Sequence, residues 1–112
     1  MAGDEGEVPD GAAVFPLIPE ELGVHPLLLA TLHALVFLEG SEETIVRPDA
    51  ADEALEHLIG YLQRLQGAEL ERVREDLACL VTHARQERWP RIQMDFLEMF
   101  LDEYGVGRQP EA

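Results

Sequence analysis

The sequence predicts an all-α protein, a small four-helix bundle-like domain with an acidic N-terminal tail. Apolar residues recur at the three-to-four-residue spacing of an amphipathic helix in four separate segments. Proline and glycine lie between these segments, at positions where helices begin and end. The 112 residues suffice for one domain and contain no internal repeat, so the four helices are expected to share a single core.

The chain is expected to begin with a disordered acidic tail over residues 1–16. Glycine, proline and acids dominate this segment, and its few apolar side chains do not offset the entropy lost on ordering. Residues 14–18 form an apolar, proline-rich run that can fold back onto the domain. Residues 19–22 predict one helical turn that stops at Gly23. The helical domain is expected over residues 17–105, and residues 106–112 are expected to be a disordered C-terminus.

The first helix is predicted over about residues 26–39. His25 lies at its N-cap position and Pro26 suits its first turn, where a missing N–H costs nothing. Gly40 is expected to end the helix in a left-handed conformation.

The large apolar side chains of the first helix point in every direction around its axis. A helix of this kind must be covered on all sides. Two interpretations remain open: a central core helix, or a helix that shares one face with a second subunit in a homodimer. His33, which lies among these apolar residues, is expected to be a core or boundary histidine.

The second helix is predicted over about residues 50–65, with Asp49 as its N-cap, and the third over about 68–88. Gln66 and Gly67 separate them. Both helices are amphipathic, and they are expected to pack as an antiparallel hairpin across this short connection.

The fourth helix is predicted over about residues 90–104, after Trp89–Pro90 and before a stop at Gly105. One apolar stripe, expected to face the core, contains Ile92, Phe96, Met99 and Phe100. A second stripe, expected to be an exposed partner-binding surface, contains Met94, Leu97 and Leu101. The alternative is that Phe15 or Trp89 covers this second stripe.

The formal charge of −15 arises from 23 acids and 8 arginines. Such a surface repels phosphate, so direct binding to nucleic acid and binding to anionic membranes are not expected. Five acids lie at the negative ends of helix dipoles, where each costs from a few tenths to about 1 kcal/mol. They are Glu39, Glu42, Glu43, Asp102 and Glu103. Either Arg47 or Arg108 neutralises them, or solvent screens them, or they bind a basic partner.

The third helix carries two polar features. Arg72 and Asp76 are spaced for an ion pair on a solvated face. Cys79 and His83, also four residues apart, give a weak alternative prediction of a zinc site, which would need further ligands from another helix or another chain. No metal and no cofactor are otherwise expected.

The sequence contains no G-x-S-x-G motif, no glycine-rich phosphate loop and no H-E-x-x-H motif. Its single cysteine excludes a disulfide framework, and the first residues lack the features of a secretory signal, so a cytoplasmic location is expected. We expect a non-enzymatic helical protein that binds another protein, in one version inhibiting or neutralising a basic partner as an immunity protein or nucleic-acid mimic does. The alternatives are a metal- or ligand-binding bundle and a structural homo-oligomer.

Overall fold

The structure is a computed structural model that describes residues 10–107. This part of the chain forms a 3₁₀ helix over Glu20–Leu22 and four α-helices, which are α1 (Pro26–Gly40), α2 (Pro48–Leu62), α3 (Gly67–Gln86) and α4 (Arg91–Glu103). The all-α, four-helix bundle-like prediction is confirmed, and every α-helix begins and ends within three residues of its predicted bounds. Between residues 10 and 107, no helix combines the length and apolar content needed to cross a bilayer.

Two predicted glycine stops adopt a left-handed backbone. Gly23 has φ of 74° after the 3₁₀ helix, and Gly105 has φ of 68° after α4. At the end of α4, the Gly105 N–H donates to Asp102 O and the Val106 N–H donates to Leu101 O. This pair of bonds is the Schellman pattern, so the last carbonyls of α4 are satisfied within the chain.

Two capping predictions were wrong. Gly40 belongs to α1, and the extended residue Ser41 is the C-cap in its place; the Ser41 hydroxyl accepts a hydrogen bond from Ala13 N. The glycine is needed here for close approach, since a Cβ at Gly40 would lie 2.8 Å from Ala13 Cβ. Asp49 is not the N-cap of α2, because Pro48, with its fixed φ, already occupies the first helical position.

The closely packed helix pairs are α1 with α2 and α3 with α4. The predicted α2–α3 hairpin was therefore wrong. Because α1 is apolar all around its axis, one of its sides packs against the apolar face of α2. An apolar side of α4 packs against α3. These two pairings leave the space between α2 and α3 incompletely filled.

The segment before the helices contributes to the core. Phe15 is fully buried, and its ring makes edge contacts with His33, Trp89 and Phe96 at centroid distances of 5.2, 5.5 and 6.2 Å. Residues 10–16 therefore pack on the helices, in contrast to the expected tail, because one buried aromatic ring supplies enough apolar area to hold a short segment. The remainder of that predicted tail, residues 1–9, lies outside the described residues.

The C-terminal boundary also differs from its prediction. Val106, expected in a disordered C-terminus, is buried at 4% exposure because the Schellman turn returns it to the core. Residues 108–112 lie outside the described part of the chain.

Asp76 ties α3 to the beginning of α1. Its buried carboxylate accepts a hydrogen bond from His25 N at 3.0 Å and from Arg72 Nε at 3.0 Å. His25 is the N-cap of α1, as predicted, and its Nδ1 accepts from Leu27 N. The Arg72–Asp76 pair was expected on a solvated face, but contact with the neighbouring helix buries the carboxylate.

Candidate partner-binding site

An acidic groove lies between the C-terminal end of α1 and the N-terminal half of α2. The carboxylates of Glu39, Glu43 and Asp52 line it, and the described residues of its lining include no basic side chain. Leu38, Val46, Ala51 and Leu55 contribute apolar surface, and the groove has a volume of about 500 Å³. We call this site the acidic groove.

The loop between α1 and α2 positions these acids. Glu42 O accepts hydrogen bonds from Ile45 N and Val46 N, which makes one tight turn, and Glu42 N donates to Gly11 O at 2.8 Å. The N-terminal segment therefore holds the loop in place from outside. Glu43 follows directly in this fixed turn, and α2 then begins and brings Asp52 to the other side of the groove.

Arg47 does not neutralise the acids that follow α1. Its guanidinium pairs instead with Asp49, at 3.2 Å from Nη2 to Oδ2, and both side chains are largely exposed. Arg108, the other cation considered for this role, lies outside the described residues. Within residues 10–107, Glu43 and Asp52 make no ion pair.

Tyr104 joins the end of α4 to the acidic groove. Its hydroxyl donates a hydrogen bond to Glu39 Oε1 at 2.6 Å. Burial of the ring raises the pKa of Tyr104 above its ordinary value, and the hydrogen bond to Glu39 and the charges of Glu39 and Glu103 raise it further. The phenol therefore keeps its proton and orients one carboxylate of the groove.

The structure brings together only some of the five predicted acids. Glu39 and Glu43 line the acidic groove, and Glu103 lies close enough to Tyr104 for its negative charge to raise the pKa of the phenol. Glu42 is exposed and its side chain approaches Gly11. Asp102 lies elsewhere, beside a shallow groove between α3 and α4.

The predicted apolar part of the binding surface was wrong. Met94 and Leu97 are buried at 7% and 2% exposure, and Leu101 is half-buried, because this side of α4 packs against α3. Ile92 and Met99, which were expected to face the core, are 78% and 53% exposed. The prediction holds for the other two residues of that stripe, because Phe100 is 1% exposed and Phe96 packs against the core. The core therefore covers the second stripe and part of the first.

A second groove, which the sequence did not predict, opens between α1, α2 and α3. Its volume is about 530 Å³, and its lining is mostly apolar. The side chains that define it are Leu27, Leu28, Leu58, Tyr61, Leu62 and Leu65. Leu27 and Tyr61 are 72% and 62% exposed, so a large apolar surface faces solvent here. We call this site the apolar groove.

Cys79 and His83 face other parts of the same chain. The Cys79 thiol donates to Leu22 O at a sulfur–oxygen distance of 3.7 Å, and the His83 ring meets the Trp89 ring edge-on at 5.9 Å. In the described part of the chain, no three His, Cys, Asp or Glu side chains are arranged to hold a metal ion. A zinc site here would therefore need ligands from outside the described residues.

The acidic groove combines charge and apolar surface in the way that an arginine or lysine side chain requires. The aliphatic stem of such a side chain packs on apolar groups, while its head forms charge-assisted hydrogen bonds to carboxylates.

The chain matches no protein-family model, and comparisons with curated proteins and with solved structures find no match.

Proposed function

We propose that this protein is a non-enzymatic binding module that recognises a basic segment of another protein through the acidic groove. One observation carries the proposal: Glu39, Glu43 and Asp52 surround apolar surface in a groove whose described lining contains no basic side chain. Three carboxylates that share a groove attract a cation to it. The proposed ligand therefore supplies the positive charge that the described lining of the groove lacks.

The net charge of −15 favours the same type of partner. A strongly acidic protein attracts basic surfaces over distances of about 10 Å at moderate salt, which raises the association rate and makes it salt-dependent. In one concrete version, the protein covers a nucleic-acid-binding surface, with its carboxylates in place of phosphates. A cytoplasmic location and the absence of catalysis are parts of the same proposal.

Glu39 has a particular role in this scheme. The hydrogen bond from Tyr104 engages Oε1, which leaves Oε2 to accept from the incoming cation. An arginine can then bridge Glu39 and a second carboxylate, Glu43 or Asp52, with its forked N–H donors.

Capture from the source lysate with a charge-matched pair of variants tests the proposal. The groove variant combines Glu39→Gln, Glu43→Gln and Asp52→Asn, and its glutamine at position 39 can still accept from Tyr104. The control variant neutralises three exposed acids elsewhere, by Glu20→Gln, Glu21→Gln and Glu87→Gln.

We expect the wild type and the control variant to retain the same basic partner at low salt, and the groove variant to lose it. Partners without a basic bias, capture that is indifferent to salt, or equal loss in both variants would contradict the proposal.

A further inference from the structure

The apolar groove exposes one side of α1 to solvent. α2 packs against α1, and Leu28, Leu32 and Leu35 are buried in the core. Leu27, in the first turn of α1, is nevertheless 72% exposed at the groove, and Tyr61 of α2 lines the same groove at 62% exposure. The all-round apolar pattern of α1 leaves a face shared with a second subunit as one interpretation, and this side of the helix is available for such a face.

Exposed apolar side chains and a recess lie together on this surface. The groove has a volume of about 530 Å³, and the half-buried side chains of Leu58, Leu62 and Leu65 line it. Leu27 and Tyr61 line it as well and are mostly exposed. In a two-fold dimer both copies present the same surface, so the exposed side chains of each copy can enter the recess of the other. The surface therefore supplies both halves of an interface.

The charges around the apolar groove are balanced, although the chain as a whole carries −15. Arg72 and Asp76 both line the groove and pair with each other, at 3.0 Å from Nε to Oδ1. Glu69 also lines it, and the Arg64 guanidinium lies over the ring of Tyr61, 4.8 Å from the ring centroid. Two cations and two anions therefore surround the apolar surface. Because the net charge opposes self-association, a locally neutral surface is one on which two copies can meet without local repulsion.

Arg64 and Glu69 are also complementary to each other. Neither makes an ion pair with any of residues 10–107, and they carry opposite charges beside the same groove. A two-fold axis between them brings Arg64 of one copy to Glu69 of the partner subunit, and the symmetry repeats this pair. Charge complementarity across the interface thus favours a second copy of this chain as the occupant.

We infer that two copies of this chain form a two-fold symmetric dimer through the apolar groove. Leu27 and Tyr61 of each copy pack in the groove of the other, and Arg64 pairs with Glu69 across the interface. The dimer is independent of the proposed function, but it gives one assembly two acidic grooves. A partner with two basic segments is then bound with avidity.

Sedimentation equilibrium of the full chain at two salt concentrations tests the inference. Between about 0.01 M and about 0.15 M salt the screening length falls from about 30 Å to about 8 Å, so the repulsion between two chains of charge −15 weakens. We therefore expect a monomer–dimer equilibrium whose dissociation constant falls as salt is added. Capture of a basic partner by the acidic groove is expected to weaken under the same change, so failure of one proposal is distinguishable from failure of the other.

Two double variants identify the surface that the dimer uses. The groove pair is Leu27→Ser with Tyr61→Ser, and the matched control pair is Leu17→Ser with Ile92→Ser. All four side chains are largely exposed, so neither pair removes a core contact, and circular dichroism checks that both remain folded. We expect the groove pair to raise the dissociation constant of the dimer by about tenfold or more, and the control pair by less than about threefold.

Charge reversal tests the two-fold pairing itself. Arg64→Glu alone and Glu69→Arg alone each place like charges together across the axis, and each is expected to weaken the dimer at the higher salt concentration. The two changes together restore opposite charges and the net charge of the wild type, so they are expected to return the dissociation constant to within about threefold of the wild-type value.

Three results would overturn the inference. The first is a chain that stays monomeric up to about 1 mM at both salt concentrations, where even weak dimers are populated. The second is a dimer that the control pair weakens as much as the groove pair does, because the interface would then lie elsewhere. The third is a double charge variant that dimerises no better than the single ones.

Discussion

Replacement of Phe15 by alanine tests whether the N-terminal segment is part of the folded core. The Phe15 ring is fully buried and contacts three other rings, from α1, from α4 and from the turn between α3 and α4. Phe→Ala changes in protein cores cost about 3–5 kcal/mol, and edge contacts between aromatic rings add to the effect of burial. The total stability of a domain this size is about 5–15 kcal/mol, so Phe15→Ala is expected to remove a large fraction of it.

Two hydrogen bonds from backbone N–H groups hold the same segment. Ala13 N donates to the Ser41 hydroxyl, and Gly11 O accepts from Glu42 N. Both are partly exposed and replaceable by water, so each contributes about 1 kcal/mol at most. The buried ring is therefore the dominant attachment, and its loss is expected to release the segment from the α1–α2 loop as well.

Urea unfolding followed by circular dichroism measures the effect, and limited proteolysis near residues 10–16 reports the release of the segment. Leu17→Ala is the matched control, because Leu17 is 88% exposed and its truncation is expected to change stability by less than about 0.5 kcal/mol. A Phe15→Ala protein within about 1 kcal/mol of the wild type would refute the assignment of Phe15 to the core.

Two further predictions concern α4. Urea unfolding of two alanine variants tests which face of α4 is covered. Leu97→Ala is expected to lower the unfolding free energy by about 2–5 kcal/mol because Leu97 is 2% exposed, and Ile92→Ala by less than about 0.5 kcal/mol because Ile92 is 78% exposed. The reverse order would mean that the other face of α4 meets α3. The pKa of Tyr104 is raised in the folded state, so its contribution to stability is complete below the unfolded pKa of about 10 and is lost as the pH rises through the folded pKa. Between pH 9 and 11.5, the unfolding free energy of the wild type is expected to fall more steeply than that of Tyr104→Phe, and parallel curves would count against the buried phenol.

The sequence predicted the helices well because their limits depend on local chemistry. Pro26, Gly23 and Gly105 act through their own backbone preferences, and His25 caps the helix that it precedes. Helix pairing was not predictable in the same way. The apolar faces of α2 and α3 are compatible with a hairpin, and only competition from α1 and α4 directs them elsewhere.

In the candidate site, too, features set by local chemistry were predicted and features set by helix packing were missed. Glu39 and Glu43 were predicted because they lie at an unfavourable position relative to the dipole of α1, which is visible in the sequence. Asp52 was missed because it lies on the next helix and joins the groove only through the turn at Glu42. The apolar groove was missed because the residues that line it have an ordinary amphipathic pattern, whose coverage depends on the position of another helix.

The contacts around Tyr104 bear on how Glu39, although unfavourably placed at the end of α1, can serve the proposed binding of a cation. Glu39 lies at the negative end of α1, yet two other helices stabilise its position, since Tyr104 ends α4 and Gln63, after α2, donates to Tyr104 O at 2.9 Å. The charge-assisted hydrogen bond from the Tyr104 hydroxyl offsets part of the dipole cost. It also restricts the Glu39 side chain, which matters for the cation binding proposed above. Because ordering a flexible side chain costs about 0.5–1.5 kcal/mol on binding, a carboxylate already held in place binds a cation more tightly than a free surface glutamate does.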